Sequence, residues 1–492
     1  MEATMKFANT KTVLRLVLLF TLLHNLLLLV GCGAGGATLP SPAGGGSNGG
    51  SGGAAGVAGG VAGGGGNSSG STAVLVNLGD FASLPDNIVS FELTIDAVSL
   101  RSANGDIALL GDPRRFEVSR LKAEPLVLAN LPQGKYSGIV IDVSNPEISF
   151  IDSGGVLHEN IAASLTSSSV TNPSEFGFGA TPGSINLNLF LEASFGGDGG
   201  ITVKPALNFS TGGQPTKDLV GRILGTDGDH VDLDVIGLLP MYDPSWFYGA
   251  GAFSFATDSS TDLQNFHSLS YLTTGRTAEV DAVLGTDGTF HATKVRLEND
   301  DASKVVTEGI VLHQASPQLK MMVREVHGPG DVTLPEVGKS LTVNANAVSE
   351  FRFDPDGIDL NNLDFTPTFD ALTIVPGQNV RAAAASGSAT VIAADQLKLV
   401  KQSVDGTPGA VTANSVSGQY SFPLNLSPDS AFAMLTGHTT VYVTLQPSTQ
   451  KYLYFGAEDC VSCIVGAPVR VRGLLFSTGG QYRLVAEWLA VM

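Results

Sequence analysis

Three groups of residues have types and spacings that could do chemistry. The first is the CxxC pair Cys460-Val461-Ser462-Cys463. Redox use of such a pair needs a helix N-terminus beside it to lower a thiol pKa. The flanking runs KYLYFGAED and IVGAPVRVRGLLF read instead as strand, turn, strand, and Glu458 and Asp459 disfavour a thiolate. In an exported chain, Cys460 and Cys463 are expected to close a short disulfide that pins a loop. A structural zinc site would need two further ligands, and no second cysteine pair exists. The second group is Asp354, Asp356 and Asp359 in FRFDPDGIDLNNLDF, three carboxylates around Gly357 that could wrap oxygen ligands round Ca²⁺. Counted from Asp354, the twelfth loop position is Phe365 where an EF-hand needs Glu, and the same residues suit an acidic solvated turn equally well. Asp227 and Asp229 are a thinner version of that pattern. The third group is aromatic: Tyr242, Trp246, Phe247 and Tyr248, with Asp243 beside them. Such side chains stack on sugar rings or anchor a protein partner, and they also serve as a plug over a barrel mouth.

Other catalytic constellations are not spelled out. The eight histidines stand singly, with no HxH, HxxxH or HExxH. The stretch from Phe176 to Gly183, FGFGATPG, lacks the lysine and spacing of a phosphate loop, and GxSxG occurs only in a glycine-rich run with no strand–helix context. Carboxylate pairs for glycoside hydrolysis are compatible with the 46 acids, because distances are not written in sequence. No catalytic residue is assigned, and the chain is expected to be non-enzymatic, with no cofactor beyond the possible Ca²⁺.

These groups must be positioned by a chain of 492 residues with 60 glycines, 15% charged residues and a formal net charge of −19. That acidity disfavours a nucleic-acid partner, since phosphates need a basic face. At the N-terminus, Lys6, Lys11 and Arg15 precede the apolar run from Leu16 to Val30, which is too short for a comfortable bilayer span. Leu29-Val30-Gly31-Cys32 follows. Residues 33–70 hold 18 glycines among 38 positions and no Asp, Glu, Lys or Arg. Glycine at that density loses too much backbone entropy to fold, so a flexible tether averaging roughly 30–37 Å end to end is expected.

Leu29 to Cys32 resembles the lipobox of bacterial lipoproteins. The resemblance implies a signal peptide over 1–31, acylation of Cys32, and anchoring in the bilayer of a bacterial envelope by several acyl chains. Gly33 rather than Asp after the cysteine points to the outer membrane, facing periplasm or cell surface.

From Ser71 the pattern becomes all-β. Short alternating strands separated by Gly, Pro, Asn and Asp run to about residue 214, with Phe91, Leu93, Ile95 and Ala97 on one face and an Asn104-Gly105 hairpin turn. Some eight strands without a major helix predict a β-sandwich. The segment VLVNLGDFASLPDNIVSFELTIDAVSL and the loop-to-strand run LPQGKYSGIVIDVS resemble the DUF4382 family, a bacterial envelope domain. Behind it lies a repeat of about 90 residues. Each unit opens with a strand and closes with a strand pair begun by glycine: Gly275, Gly377 and Gly466. The pairs turn at Asp287-Gly288, Ser386-Gly387 and Gly479-Gly480, and the units resemble the DUF5666 family, small β domains found in tandem in lipoproteins. A small barrel would leave no sheet edge exposed. The expected organisation is signal peptide 1–31, tether 32–70, sandwich 71–214 and three barrel-like units at 215–302, 303–404 and 405–492. Long loops are expected over 242–271 and 353–373, with a short helix near Asp262 to Leu272.

The function these readings imply is binding or scaffolding in the cell envelope, toward a glycan or another envelope protein. A surface hydrolase and a self-associating adhesin or matrix component are the alternatives, and the sequence leaves oligomeric state open.

Overall fold

The computed structural model describes residues 70–78, 84–110, 112–119, 124–196, 199–212, 216–235, 252–297, 304–328, 333–353, 355, 357–415, 417–452 and 461–492. All of them lie in one compact unit, Val57–Met492. Nearly every element is a strand, and the strands make five sheets. Among the described residues no helix is long and apolar enough to cross a membrane.

The first two sheets share one apolar core, to which Leu75, Leu93, Ile141 and Leu189 all contribute. In one sheet Ser71–Leu78 lies between Glu124–Pro132, antiparallel, and Gly183–Phe195, parallel. In the other, Ile88–Ser102 and Gly134–Ile151 run antiparallel along almost their whole length. Phe91, Leu93 and Ile95 are fully buried at period two, as the alternation predicts. An irregularity between Ile95 and Ala97 then shifts the phase, so Val98 and Leu100 take over the buried face. The Asn104-Gly105 hairpin is present, with Ser102 opposite Gly105 at φ 110°. The Tyr136 hydroxyl donates to the Pro132 carbonyl at 2.5 Å, closing the loop that feeds the long strand.

The other face of Ile88–Ser102 is buried too, which alternation alone does not predict: Ser90, Glu92 and Thr94 are each at most 5% exposed. The cause is a later part of the chain. Arg324 Nε donates to the Val89 carbonyl at 2.8 Å, and Ser149 Oγ donates to the Gly338 carbonyl at 2.7 Å.

Each remaining sheet draws its strands from one continuous stretch. Between residues 216 and 297, Ala252–Ala256 pairs both with His230–Val235 and with Phe290–Leu297, so five strands close into a ring. Between 402 and 491, Gln402–Pro408 pairs with Val469–Thr478 and with Gln419–Asn425, closing a second ring. The stretch between 305 and 399 stays open, a curled seven-stranded sheet that makes a half-barrel. In all three, the glycine that begins the closing strand pair has positive φ: 89° at Gly275, 84° at Gly377 and 78° at Gly466. Its N–H donates back to the opening strand's carbonyl, at Ile223 (2.7 Å), Val311 (2.8 Å) and Pro408 (3.0 Å). A left-handed residue lets the chain turn sharply into the sheet while keeping that bond.

Two local readings change. Asp262 to Leu272 holds a three-residue strand, Asp262–Gln264, and a single 3₁₀ turn, Leu269–Tyr271, because Asn265 at φ 67° breaks any helical path. The α-helix lies instead at Ala431–Thr436, started by Ser430, whose Oγ accepts from the Ala433 N–H, and ended by Gly437 at φ 71°. The loop after Phe353 is irregular as expected, but it is held down. The rings of Phe353 and Phe365 pack on Phe476 at 5.3 and 5.9 Å, and Asp364 pairs with Arg483 at 2.7 Å.

Candidate functional site

Strand alternation gives each of the three later sheets an apolar face and a second face. In each case the second face is charged. Four residues after the hairpin glycine stands a charged side chain: Glu279 after Gly275, Arg381 after Gly377, Arg470 after Gly466. Their neighbours on the same strands, Val280, Val380 and Val471, are fully buried in cores. The cross-strand register aligns charge with charge. Glu279 lies opposite Arg296, and Asp405 opposite Arg470. In the half-barrel, Glu325, Glu308, Arg381 and Lys398 face one another across four strands.

These faces converge on a cavity of about 220 Å³ lined from four sheets, with Asp86, Ile88 and Val89 of the N-terminal region completing the wall. The charges are clasped. Arg470 forks onto Asp405 with two bonds of 2.7 Å. Arg381 reaches Glu308 at 3.0 Å, and Asn379 Nδ2 donates to the other Glu308 oxygen at 2.9 Å. Arg296 pairs with Glu279, which also takes Lys294 at 3.4 Å. Glu487 is the extra residue of a bulge, since Gly473 faces Ala486 and Arg472 faces Trp488. Displaced in this way, it receives Lys401 at 2.8 Å and Arg472 at 3.4 Å.

Asp86 differs from these. It remains exposed, yet burial of its carboxyl and the nearby charge of Asp405 push its pKa up. Asn379 Oδ1 and Ser403 Oγ, buried polar atoms of lining residues, have no hydrogen-bond partner among the described residues. Ser403 lies directly opposite Arg472.

A second polar cluster sits under the first sheet pair. Arg115 donates from Nε to Glu92 at 2.8 Å and reaches Glu147 and the Asn145 carbonyl at 2.5 and 3.0 Å. Glu92 is held so far from water that its pKa rises to about 7 despite Arg115, with Glu117 and Glu147 adding to the rise. Its Oε1 has no hydrogen-bond partner among the described residues.

Cys32, Tyr242, Trp246, Phe247, Tyr248, Asp354, Asp356 and Cys460 lie outside the described residues. Cys463 is disulfide-bonded and sits in a 3₁₀ turn, Val461–Ile464, where a plain turn is expected. Asp359 spends one oxygen on the backbone and side-chain N–H groups of Asn361, at 2.8 and 2.7 Å, the bonding of a turn-forming aspartate. Asp229 binds the ring of its neighbour His230 at 2.7 Å. Among the described residues no group of three or more His, Cys, Asp or Glu is placed to hold a metal ion. Phe176–Phe178 is a short strand against Tyr136, not a loop around a ligand. The cavity charges were missed because each reads alone as a solvated strand face. The signal that finds them is the repeated spacing from glycine to charge in GRTAE, GQNVR and GAPVR.

No family model matches the chain, and no curated protein matches it. Among solved structures it is similar to the single-stranded DNA-binding protein from Thermus aquaticus, at 10% identity and a TM-score of 0.15, over 38% of this chain and 92% of that one. A deletion mutant of the same protein gives 12% identity and a TM-score of 0.15, over 38% and 93%. Likeness of that size carries no argument about function.

Proposed function

We propose that the chain is a cell-envelope lipoprotein, acylated at Cys32, whose folded part binds a ligand or envelope partner and works no chemistry on it. In this reading residues 71–214 are a DUF4382-like β-sandwich, 215–302 and 303–404 are DUF5666-like units, and 405–492 is a third β unit, with the half-barrel as the open member. The observation that carries it is the shared cavity, where successive units pool charged faces already neutralised by ion pairs across neighbouring strands. A general acid or base must exchange its proton, whereas a carboxylate forked by arginine is a fixed dipole that orients a bound group. Two experiments test the two halves. Radiolabelled fatty acid is expected to label the wild-type chain and not Cys32→Ser; labelling of both removes the anchor. A thermal-shift screen of the purified chain against envelope glycans and Ca²⁺ is expected to give a saturable shift, and none with any member of the panel argues for a purely structural role.

One observation favours a second reading, a hydrolase. Asp86, whose pKa is pushed up by burial and by the charge of Asp405, lines the same cavity as Asp405, which Arg470 clasps: two carboxyl groups in unlike surroundings. Hydrolysis of a surface glycan by wild type, abolished by Asp86→Asn with the fold intact, would establish it.

A further inference from the structure

The ion pairs around the cavity leave one charged group over. All seven lysines and arginines of the lining are engaged, five of them with carboxylates and Arg324 with the Val89 carbonyl. Glu279, Glu308, Glu325 and Asp405 are engaged as well. Asp86 is the remaining acid, and its side chain makes no hydrogen bond or ion pair with a described residue. Its backbone is fixed, because the Asp86 carbonyl accepts from the Ala431 N–H at 2.7 Å. That bond sets the first turn of the helix, with Phe432, beside it. Asp405 is near enough for its charge to act on the Asp86 carboxyl. Leu426 packs beside the next residue, Gly406, where a Cβ would lie 3.0 Å from its side chain. The lining therefore gathers two carboxyl groups and the apolar side chains of Ile88, Leu426 and Phe432 around one space.

This combination selects a class of ligand. An anion finds every cation taken and a free acid in its way. A cation enters among seven lysines and arginines and competes with Arg470 for Asp405. A neutral hydroxyl meets neither obstacle. Carboxylates only accept, and each Asp405 oxygen keeps a lone pair beyond the Arg470 fork. Adjacent hydroxyls thus have an acceptor each, in charge-assisted bonds. Arg470 orients Asp405 in advance, so little side-chain entropy is lost when a ligand arrives. We propose that the cavity is a saccharide site for one neutral hexose unit, its adjacent hydroxyls on Asp86 and Asp405 and its C–H face on Phe432 and Leu426. The volume of about 220 Å³ suits a small ligand or one unit of a longer one. The proposal rests on the binding reading above, names its ligand class and seats it.

The test is isothermal titration calorimetry on the full chain, in a detergent without a sugar head group. Separate arms contain D-glucose, D-galactose, D-mannose, N-acetyl-D-glucosamine, Ca²⁺ and citrate. Saturable one-site binding of at least one sugar is expected. Asp86→Ala, which keeps the backbone bond to Ala431, is expected to weaken it about tenfold. Asp86→Asn retains a neutral accepting oxygen and is expected to fall between that variant and wild type. Glu192→Gln, on the exposed strand pair of the first sheet, is expected to change nothing. No saturable heat with any of the four sugars overturns the proposal, and so does an equal loss in Glu192→Gln. Ca²⁺ or citrate binding while the sugars fail overturns it and leaves the binding reading standing. Sugar binding that survives Asp86→Ala unchanged has the same consequence, because the sugar then sits elsewhere.

Discussion

At the scale of single residues, the sharpest consequence concerns Glu92. Its carboxyl is buried between the first sheet pair and the half-barrel, and burial pushes its pKa up to about 7 in the folded chain, from an ordinary 4.5. Between those two pH values the folded state holds a proton that the unfolded chain has released. The stability this group contributes is therefore complete below about pH 4.5 and is lost as pH rises through about 7. Unfolding free energy from denaturant titrations is expected to fall across that window, by at most about 1.4 kcal/mol per pH unit for one proton. Glu92→Gln keeps a neutral side chain of the same shape and is expected to flatten the slope. A variant with the wild-type slope would place the pH dependence elsewhere. Nothing in the local sequence marks this residue. In SFELTID it alternates with Phe91 and Leu93 as an outward-facing acid should, and the strand face it sits on is covered in part by a surface built some 230 residues later.

At the scale of elements, the hairpin glycines separate two costs that are usually mixed. Gly466 and Gly377 have nearly the same positive φ, 78° and 84°. A Cβ at Gly466 would meet nothing within 4 Å, whereas at Gly377 it would lie 2.7 Å from the Phe432 ring and 3.0 Å from Thr436. Gly466→Ala is expected to cost only the left-handed strain, about 1–2 kcal/mol. Gly377→Ala adds overpacking of about 1–3 kcal/mol. Equal losses in chemical unfolding would show that the helix yields without cost. Strands, turns and these glycines are legible because alternation and left-handed turns are local demands. The helix Ala431–Thr436 was legible in principle from Ser430 and Gly437, but six residues give too few repeats for a helical period to emerge. The charged cross-strand rows are half legible: the spacing from glycine is in the sequence, and the partner across the sheet is not. Glu487 shows why, since it reaches Lys401 and Arg472 through a bulge that no residue type announces.

At the scale of the whole folded unit, the later sheets are not beads on a string, because their cores cross from one to the next. Strand Val469–Thr478 belongs by hydrogen bonding to the last ring, yet Leu474 and Phe476 fill the core of the half-barrel while Val471 and Leu475 fill its own. A further cluster joins Val89 and Ile151 of the first sheet pair to Met322 of the half-barrel and Ala431 of the helix. Both faces of a strand can be apolar only if something covers each, and here the neighbouring unit does. The cavity's geometry depends on the same contacts, since its wall is assembled from four sheets. Phe476→Ala removes a fully buried ring on which Phe353 and Phe365 pack, and is expected to destabilise by about 3–5 kcal/mol. The informative readout is where that loss is felt. With coupled cores, amide hydrogen exchange accelerates in Gln318–His327 of the half-barrel together with Val469–Thr478 of the ring. With independent units it accelerates in the ring alone, and a cavity shared between them could not be held rigid enough to orient a ligand. Coupled exchange would thus make the ion-paired faces parts of one structure, so a ligand seated on the last ring would be felt as far as Val89.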